Sequence, residues 1–373
     1  MKIKIVQYLR LLFCLCFFLF CLVPMLILDE MEVSEQENRT LAVRPSLVEN
    51  KKLNKQFDKQ YENYLKDHFP NRWGFIKFYY YLQYSILSRI ENNEAFIGDD
   101  GWMFSFYHTR DKKLSTEKWV VNHALEKAES FLDYIHTKPI DVYFFLVPDR
   151  TQIYHQYWDK HYANRPSLYR GEELKKSLSK HSNVYVFYPF EQLSLLSKQQ
   201  DVFLKHDIHL YGKTGLQPLM DTFLEILQKR YFPKVTEYSK IKYGQDTQGI
   251  DVNAHFAALL FLDMKRKMTS FEPIRGEYLS VEDNLYNNMT MTTVNLEAPS
   301  DKSVLVIGNC YAESVFAQMR ELFSKAFLYR YNTNKRISSS QKLSLNDIDV
   351  IIIAVAEDNM DNLDFLDTVR NML

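Results

Sequence analysis

This sequence has few cysteines, almost no net charge, and no internal repeat or low-complexity segment. Four cysteines occur among 373 residues, and Cys310 is the only one beyond position 21, so no intrachain disulfide can form in the body of the chain. The formal net charge of −1 provides no basic surface of the kind that nucleic acids require, and we expect no nucleic-acid partner. With 46% hydrophobic residues, the composition suits one large globular domain or two.

One long apolar run lies near the N-terminus. Residues 11–28 form 18 consecutive apolar positions, which is near the lower limit for a helix that spans a bilayer. Basic residues precede this run and acidic residues follow it, in the order Lys2, Lys4, Arg10, then Asp29, Glu30 and Glu32. This charge asymmetry predicts an uncleaved anchor whose following domain lies outside the cytoplasm. A cleaved signal peptide is the alternative, and a buried helix of a cytosolic protein would leave the asymmetry unexplained.

The predicted organisation therefore has four parts. Residues 1–10 form a cytoplasmic basic tail, 11–28 a transmembrane anchor, 29–56 a polar stalk, and 57–373 the main domain. We expect a single-pass protein of the cell membrane with an extracytoplasmic domain. An unpaired cysteine in such a domain indicates an intermolecular disulfide or a reactive thiol.

Short apolar segments alternate with helical patterns in the main domain. Strands are predicted at 140–150, 183–189, 303–308, 326–331 and 349–357, and helices at 57–69, 73–90, 125–135, 214–230 and 311–323. Runs rich in β-formers and buried on both faces are typical of parallel sheets. We expect an α/β fold in three α/β/α layers, with a doubly wound, mostly parallel sheet. Ligands of such sheets bind beyond the carboxyl ends of the strands.

Cys310 lies at such a strand end, in the turn "VLVIGNCYAES" (304–314). A strand-to-helix turn would place it at a helix N-terminus, where unpaired N–H groups and the helix dipole favour a thiolate and an oxyanion. A buried structural cysteine is the alternative interpretation.

The segment "KHDIHLYGKTG" (205–215) supplies the matching polar residues. A nucleophile needs a base, and a carboxylate commonly orients that base. Asp207 and His209 provide both from one loop. Helix capping by these residues, His206 as the base, and zinc binding by His206, Asp207 and His209 are the alternatives. We expect neither a metal nor a cofactor.

Several segments, taken in order along the chain, resemble a known family. The layout resembles the SGNH-like acetyltransferases of exopolysaccharide O-acetylation, the alginate O-acetyltransferase AlgJ/AlgX type, also called DHHW proteins. The similarity covers most of the chain, from the N-terminal membrane segment onward. The remaining similar stretches are "ENRTLAVRP" (37–45), "YENYLKDHFPNR" (61–72), "IGDDGWMF" (97–104), "VPDRTQIYHQ" (147–156), "DIHLYGKTG" (207–215) and "VIGNCYAES" (306–314).

The resemblance implies a catalytic triad and a substrate class. By position, Asp207 and His209 match the Asp and His of the family's DxHW motif, and Cys310 matches the nucleophilic Ser of its GDS motif. Leu210 stands where the family has Trp, and Asn309 stands where it has Asp. The implied function is O-acetylation of a cell-surface polysaccharide or exopolysaccharide, beside a multi-pass membrane O-acyltransferase. A catalytically inactive scaffold, a glycan-binding subunit and a carbohydrate esterase are the alternatives.

Four further residues are predicted to bind substrate. Asn309 neighbours Cys310, and three aromatic residues come from segments that should approach the carboxyl edge of the sheet, namely Trp102, Tyr154 and Trp158. Because sugars stack on aromatic faces, we expect at least one of these three rings to line a groove. Burial of all three in the core is the alternative.

Overall fold

A computed structural model describes residues 8, 10–19, 22, 28, 32–34, 39–49, 51–87, 95–105, 117–158, 170–233, 251–253, 265–267, 291–331 and 343–373. The chain separates into two compact units, Met1–Leu87 and Ser88–Leu373. This division falls after the second of two helices that the sequence prediction had assigned to the main domain beginning at residue 57.

The predicted tail 1–10 and anchor 11–28 lie partly outside the described residues. Residues 10–19 of this region are helical. Within the described ranges, no helix has both the length and the apolar character needed to cross a membrane.

In the first unit, short antiparallel strand pairs precede two helices. The elements are β1 (Val33–Ser34) with β2 (Arg39–Thr40), β3 (Val48–Glu49) with β4 (Lys52–Leu53), α1 (Phe57–Asp67) and α2 (Arg72–Leu87). The Ala42 N–H donates to Asp67 Oδ2 at 2.8 Å, and the Ala42 carbonyl lies 2.8 Å from His68 Nε2. Two of the family-like stretches, 37–45 and 61–72, therefore bind each other directly.

The second unit alternates strands with helices. Its strands are β5 (Ala95–Ile97), β6 (Met103–Ser105), β7 (Asp141–Val147), β8 (Val184–Phe187), β9 (Asp251–Asn253), β10 (Lys265–Lys267), β11 (Met291–Val294), β12 (Ser300–Gly308), β13 (Phe323–Arg330) and β14 (Val350–Ala356). Its helices are α3 (Glu117–Ile135), α4 (Arg150–Ile153), α5 (Arg170–Leu178), α6 (Phe190–Leu196), α7 (Gln217–Tyr231), α8 (Cys310–Leu322) and α9 (Phe365–Met372). Short 3₁₀ or π turns lie at Asp99–Gly101, His155–Tyr157, Gly212–Leu216, Leu345–Asp347 and Glu357–Asn362.

A mostly parallel sheet of six strands forms the centre of this unit. The strand order is β11-β13-β12-β14-β7-β8, and only the edge strand β11 runs antiparallel to its neighbour. The five strands predicted from apolar runs are the five parallel strands, so the predicted doubly wound α/β class is confirmed. The sequence offered no clear assignment for 233–300, which contains β11.

Alternating side chains of the sheet face two separate cores. On β12, Val304 and Val306 pack with residues of α7 and α8, whereas Leu305 and Ile307 pack with residues of α3, α5 and α9. The same alternation repeats on β7 and β14. A strand buried on both faces needs apolar side chains at every position, which explains the continuous apolar runs. Because these five strands run parallel, their carboxyl ends all lie at the same edge of the sheet.

Gly308 ends β12 at a place that admits no side chain. Its φ is +153°, and a Cβ on this residue would lie 1.9 Å from the carbonyl oxygen of Ala354 on β14. Residues with a Cβ rarely adopt this conformation. Glycine therefore lets the chain leave β12 close beside β14 and enter α8 without an intervening loop.

A substitution at this turn tests the constraint. Gly308→Ala should lower the free energy of unfolding by about 2–5 kcal/mol, because the new Cβ meets backbone and the φ is strained. Urea denaturation followed by circular dichroism measures the loss. Gly101→Ala is the matched control, since Gly101 has a positive φ of +74° but nothing within 4 Å of an added Cβ. Equal losses in the two variants would contradict the role of the Ala354 contact.

Candidate active site

Cys310 is the first residue of α8, at the carboxyl edge of the sheet. Asn309 caps this helix. Its side-chain Oδ1 accepts from the Tyr311 N–H at 3.1 Å, and its carbonyl accepts from the Ala312 N–H at 2.9 Å. Asn309 was predicted to bind substrate; the contact seen in the structure is this cap, and a role toward substrate stays a prediction.

A narrow loop between α6 and α7 presents Asp207 and His209. An antiparallel bridge between Phe203 and Leu210 closes the loop. The Leu204 N–H donates to the His209 carbonyl at 3.1 Å, and the Asp207 N–H donates to the Leu204 carbonyl at 3.2 Å. The backbone therefore folds Asp207 inward, and its carboxylate is fully buried.

The three side chains predicted to be catalytic lie in one continuous hydrogen-bonded chain. Asp207 Oδ1 bonds to His209 Nδ1 and also accepts from the His209 backbone N–H at 3.0 Å. On the other side of the ring, His209 Nε2 lies 3.1 Å from Cys310 Sγ. The Asp207 side chain is buried, whereas His209 and Cys310 are partly exposed.

The imidazole of His209 is held as a cation. Burial acts to lower the pKa of His209, but the hydrogen bonds to Asp207 and Cys310 together with the charges of these groups raise it to about 9. His209 is therefore protonated at neutral pH. The positive ring therefore lies where it would stabilise a negative charge that forms on the sulfur.

His206, the alternative base, has a different environment. Burial and the nearby cations of Arg150 and Lys205 lower the pKa of His206. Because His209 holds both the carboxylate and the sulfur, the geometry favours His209 as the base. Within the described part of the chain, no group of three or more metal-ligating side chains is arranged to hold a metal ion.

Tyr311 is a contact that the sequence did not indicate. It follows Cys310 and is buried. Its hydroxyl accepts from the Leu210 N–H at 3.3 Å and donates to the Ile208 carbonyl at 3.4 Å. Tyr311 thus joins the start of α8 to the backbone on both sides of His209. No sequence pattern marks this role, since a tyrosine at a helix start is compatible with many environments.

The aromatic groove prediction is wrong. Trp102, Tyr154 and Trp158 are all buried. The rings of Trp102 and Tyr154 stack with centroids 3.9 Å apart, and Trp158 packs edge-on against Phe96 at 4.7 Å. Aromatic rings bury large areas and favour such pairs, so these rings form core beside the site.

Comparison with known proteins finds a similar fold among solved structures. No protein-family model matches the chain, and no curated protein matches it significantly. Among solved structures, Bacillus cereus PatB1 with a sulfonyl adduct is 13% identical, with 73% of this chain and 96% of that chain covered and a TM-score of 0.51. The O-acetyltransferase domain of Pseudomonas putida AlgJ is 11% identical, with 75% and 99% covered and a TM-score of 0.44.

A DHHW family protein from Eubacterium siraeum is 11% identical, with 75% of this chain and 97% of that chain covered and a TM-score of 0.46. At such identities the PatB1 match establishes a shared fold. AlgJ and DHHW proteins, the family that the motif order resembles, are also present among the matching structures.

The carboxylate–imidazole contact has a measurable consequence. Asp207→Asn should lower the pKa of His209 from about 9 toward the 6.5 of an isolated histidine, because the neutral amide no longer stabilises the imidazolium. Titration of the imidazole signals by NMR measures this change. Asp201→Asn, an exposed change in the same loop, should leave the titration unaltered. A His209 titration that is the same in Asp207→Asn and in the wild type would contradict this electrostatic coupling.

Proposed function

We propose that this protein is a membrane-anchored, extracytoplasmic O-acyltransferase that acetylates a cell-surface polysaccharide or exopolysaccharide through a covalent acyl-enzyme. The observation that carries the proposal is the position of His209, which bonds Asp207 through one ring nitrogen and lies 3.1 Å from Cys310 Sγ through the other. This is the arrangement of nucleophile, base and orienting carboxylate that covalent acyl transfer requires.

In the first half-reaction, the Cys310 thiolate attacks the carbonyl carbon of an acyl donor. The resulting oxyanion lies near the start of α8, where the Cys310 N–H and the positive end of the helix dipole stabilise it. The bond between the acyl carbon and the donor's leaving atom then breaks. His209 Nε2 gives its proton to that leaving atom, and the acyl group remains on Sγ as a thioester.

In the second half-reaction, a sugar hydroxyl attacks the thioester carbonyl. Neutral His209 takes the hydroxyl proton, so the attacking oxygen becomes nucleophilic as the bond forms. The C–S bond breaks, and the thiolate leaves beside the imidazolium that has just formed. The products are an O-acyl sugar and the original ion pair. Asp207 keeps the Nδ1 side of the ring bonded throughout, which directs Nε2 toward the sulfur.

Cysteine in place of serine changes the resting state. A serine hydroxyl stays protonated until its base removes the proton during attack, whereas a thiol is acidic enough to lose its proton to a neighbouring histidine before attack. The His209 pKa of about 9 fits such a stored ion pair. An inactive scaffold would not require this contact, so the geometry favours the enzyme over the scaffold.

The polysaccharide class, the membrane anchor and the partner rest on the sequence. The order of the family-like segments supports a polysaccharide acceptor and a multi-pass membrane O-acyltransferase as the source of acyl groups. The apolar run 11–28, with basic residues before it and acidic residues after it, supports the anchor. Hydrolysis in place of transfer would make the protein a carbohydrate esterase.

Trapping the acyl group tests the mechanism. Incubation with p-nitrophenyl acetate should add one acetyl group to the peptide that contains Cys310, and neutral hydroxylamine should remove it because a thioester is labile. Intact-mass and peptide mass spectrometry measure the adduct. Cys310→Ala should show no adduct. Cys310→Ser should fold normally and form an adduct that resists neutral hydroxylamine.

An oligosaccharide acceptor separates the outcomes of this experiment. Acetyl appearing on the sugar supports the transferase, whereas release as acetate despite the acceptor supports the esterase. A folded wild type that forms no adduct, and whose Cys310 resists iodoacetamide until unfolding, would leave only the scaffold.

Membrane topology is tested separately. Alkaline phosphatase, which is active only outside the cytoplasm, is fused to the C-terminus. We expect an active reporter and a membrane-bound product of full length, because the basic flank of the apolar run stays inside. A fusion that lacks residues 1–28 is the control and should be inactive. An inactive reporter in well-expressed full-length protein would reject the topology, and a shortened product would identify a cleaved signal peptide.

A further inference from the structure

A buried arginine contacts the loop that carries Asp207 and His209. Arg150 is the first residue of α4, which is separated from the end of β7 by two residues, and it is buried. Its Nη1 donates to the Leu204 carbonyl at 2.9 Å and to the Asp207 carbonyl, and its Nη2 donates to the Lys205 carbonyl at 2.9 Å. One guanidinium therefore binds three backbone carbonyls in a stretch of four residues.

These carbonyls belong to the turn that sets the direction of the Asp207 side chain. A flexible turn would let the carboxylate move away from His209 Nδ1. The planar guanidinium presents its donors in a fixed fork, so binding the carbonyls on both sides of residue 206 fixes this stretch of backbone. The Met103 N–H adds a bond to the Lys205 carbonyl at 3.1 Å.

Arg150 is itself held firmly. Its guanidinium carbon lies 5.0 Å from the centroid of the Trp102 ring and 5.4 Å from that of Phe104. The preceding residue, Asp149, caps α4 through the Thr151 N–H, and the Asp149 N–H donates to buried Glu357 at the end of β14 at 2.8 Å. The arginine is thus fixed to the ends of two neighbouring strands of the sheet.

We propose that Arg150 is a positioning residue for acyl transfer: it fixes the backbone of residues 204–207 and so keeps the Asp207 carboxylate and the His209 imidazole in line with Cys310. This role rests on the acyltransferase proposed above. It also explains the Trp102 stack, which supports the arginine and does not bind a sugar.

Electrostatics act in the same direction. The charge of Arg150 attracts the Asp207 carboxylate, and Asp149, Tyr154 and Tyr311 also face the guanidinium. Burial lowers the pKa of Arg150 to about 10, so the group stays charged at neutral pH. A cation beside Asp207 favours the ionised carboxylate that the imidazolium needs.

Three variants test this role. Arg150→Gln removes the charge and the fork, and Arg150→Lys keeps the charge but loses the fork. Arg230→Gln is the matched control, because Arg230 binds Asp141 in two hydrogen bonds at the opposite edge of the sheet. Each full-length variant is checked for folding by circular dichroism and thermal melting. Alkylation of Cys310 by iodoacetamide is then followed against pH, and acetyl transfer to an oligosaccharide is followed at neutral pH.

In Arg150→Gln, the pH midpoint of Cys310 alkylation should move to higher pH. The same direction is expected for His209→Ala, because that variant removes the imidazolium beside the sulfur. The kcat for transfer should fall roughly 10- to 100-fold, with KM within about twofold, because misplaced groups affect the reaction step more than binding. The alkylation midpoint and the kcat of Arg150→Lys should lie between those of Arg150→Gln and those of the wild type. Arg230→Gln should lower the melting temperature and leave the midpoint and kcat unchanged.

The outcomes separate the two proposals. An alkylation midpoint that His209→Ala leaves unchanged in otherwise wild-type protein overturns the acyltransferase. If His209→Ala moves the midpoint while folded Arg150→Gln keeps the wild-type midpoint and kcat, the positioning role is overturned and the acyltransferase stands. If Arg150→Gln does not fold, Arg150→Lys decides, and a wild-type midpoint and kcat in that variant overturn the positioning role.

Discussion

The close approach of Gly308 to the Ala354 carbonyl is the constraint on which the site depends. Neighbouring parallel strands normally end at loops that carry the chain away from the sheet. Here the missing side chain lets β12 pass into α8 against β14, and the first helical residue is Cys310. The sulfur is therefore placed by the sheet, and the loop from residue 201 to 211 has only to bring the histidine to it.

The site also depends on the burial of Asp207, and burying this carboxylate would by itself lower the stability of the folded protein. A carboxylate removed from water costs free energy unless hydrogen bonds and opposite charges compensate. His209 supplies a backbone N–H, a ring N–H and a positive charge, and Arg150 supplies a second cation nearby. Because each partner also fixes geometry, the groups that make the buried charge tolerable also align the imidazole with the thiol.

The sequence predicted the sheet and the cluster of Asp207, His209 and Cys310 better than their surroundings. The five parallel strands contain continuous apolar runs, so they stand out. Asp207, His209 and Cys310 combine reactive residue types with turn signals. The sequence prediction was wrong for the aromatic side chains of Trp102, Tyr154 and Trp158. The same residue types stack on sugars and on other rings, so the sequence does not distinguish the two environments. The contacts of Tyr311 and Arg150 depend on how the chain packs around one loop in three dimensions. The spacing of apolar residues in the sequence does not indicate such contacts.

The order of the strands has a consequence for how the protein folds. β7 comes early in the chain but pairs with β14 near its end, and the Asp149 N–H binds Glu357 across 208 positions. Such non-local pairings make folding slow. The centre of the sheet cannot form until nearly the whole chain is available, because β7 can pair with β8 early but lacks β14 until the end. Until then Cys310 has no histidine beside it, and the hydrogen-bonded chain from Asp207 through His209 to Cys310 forms only when folding is complete.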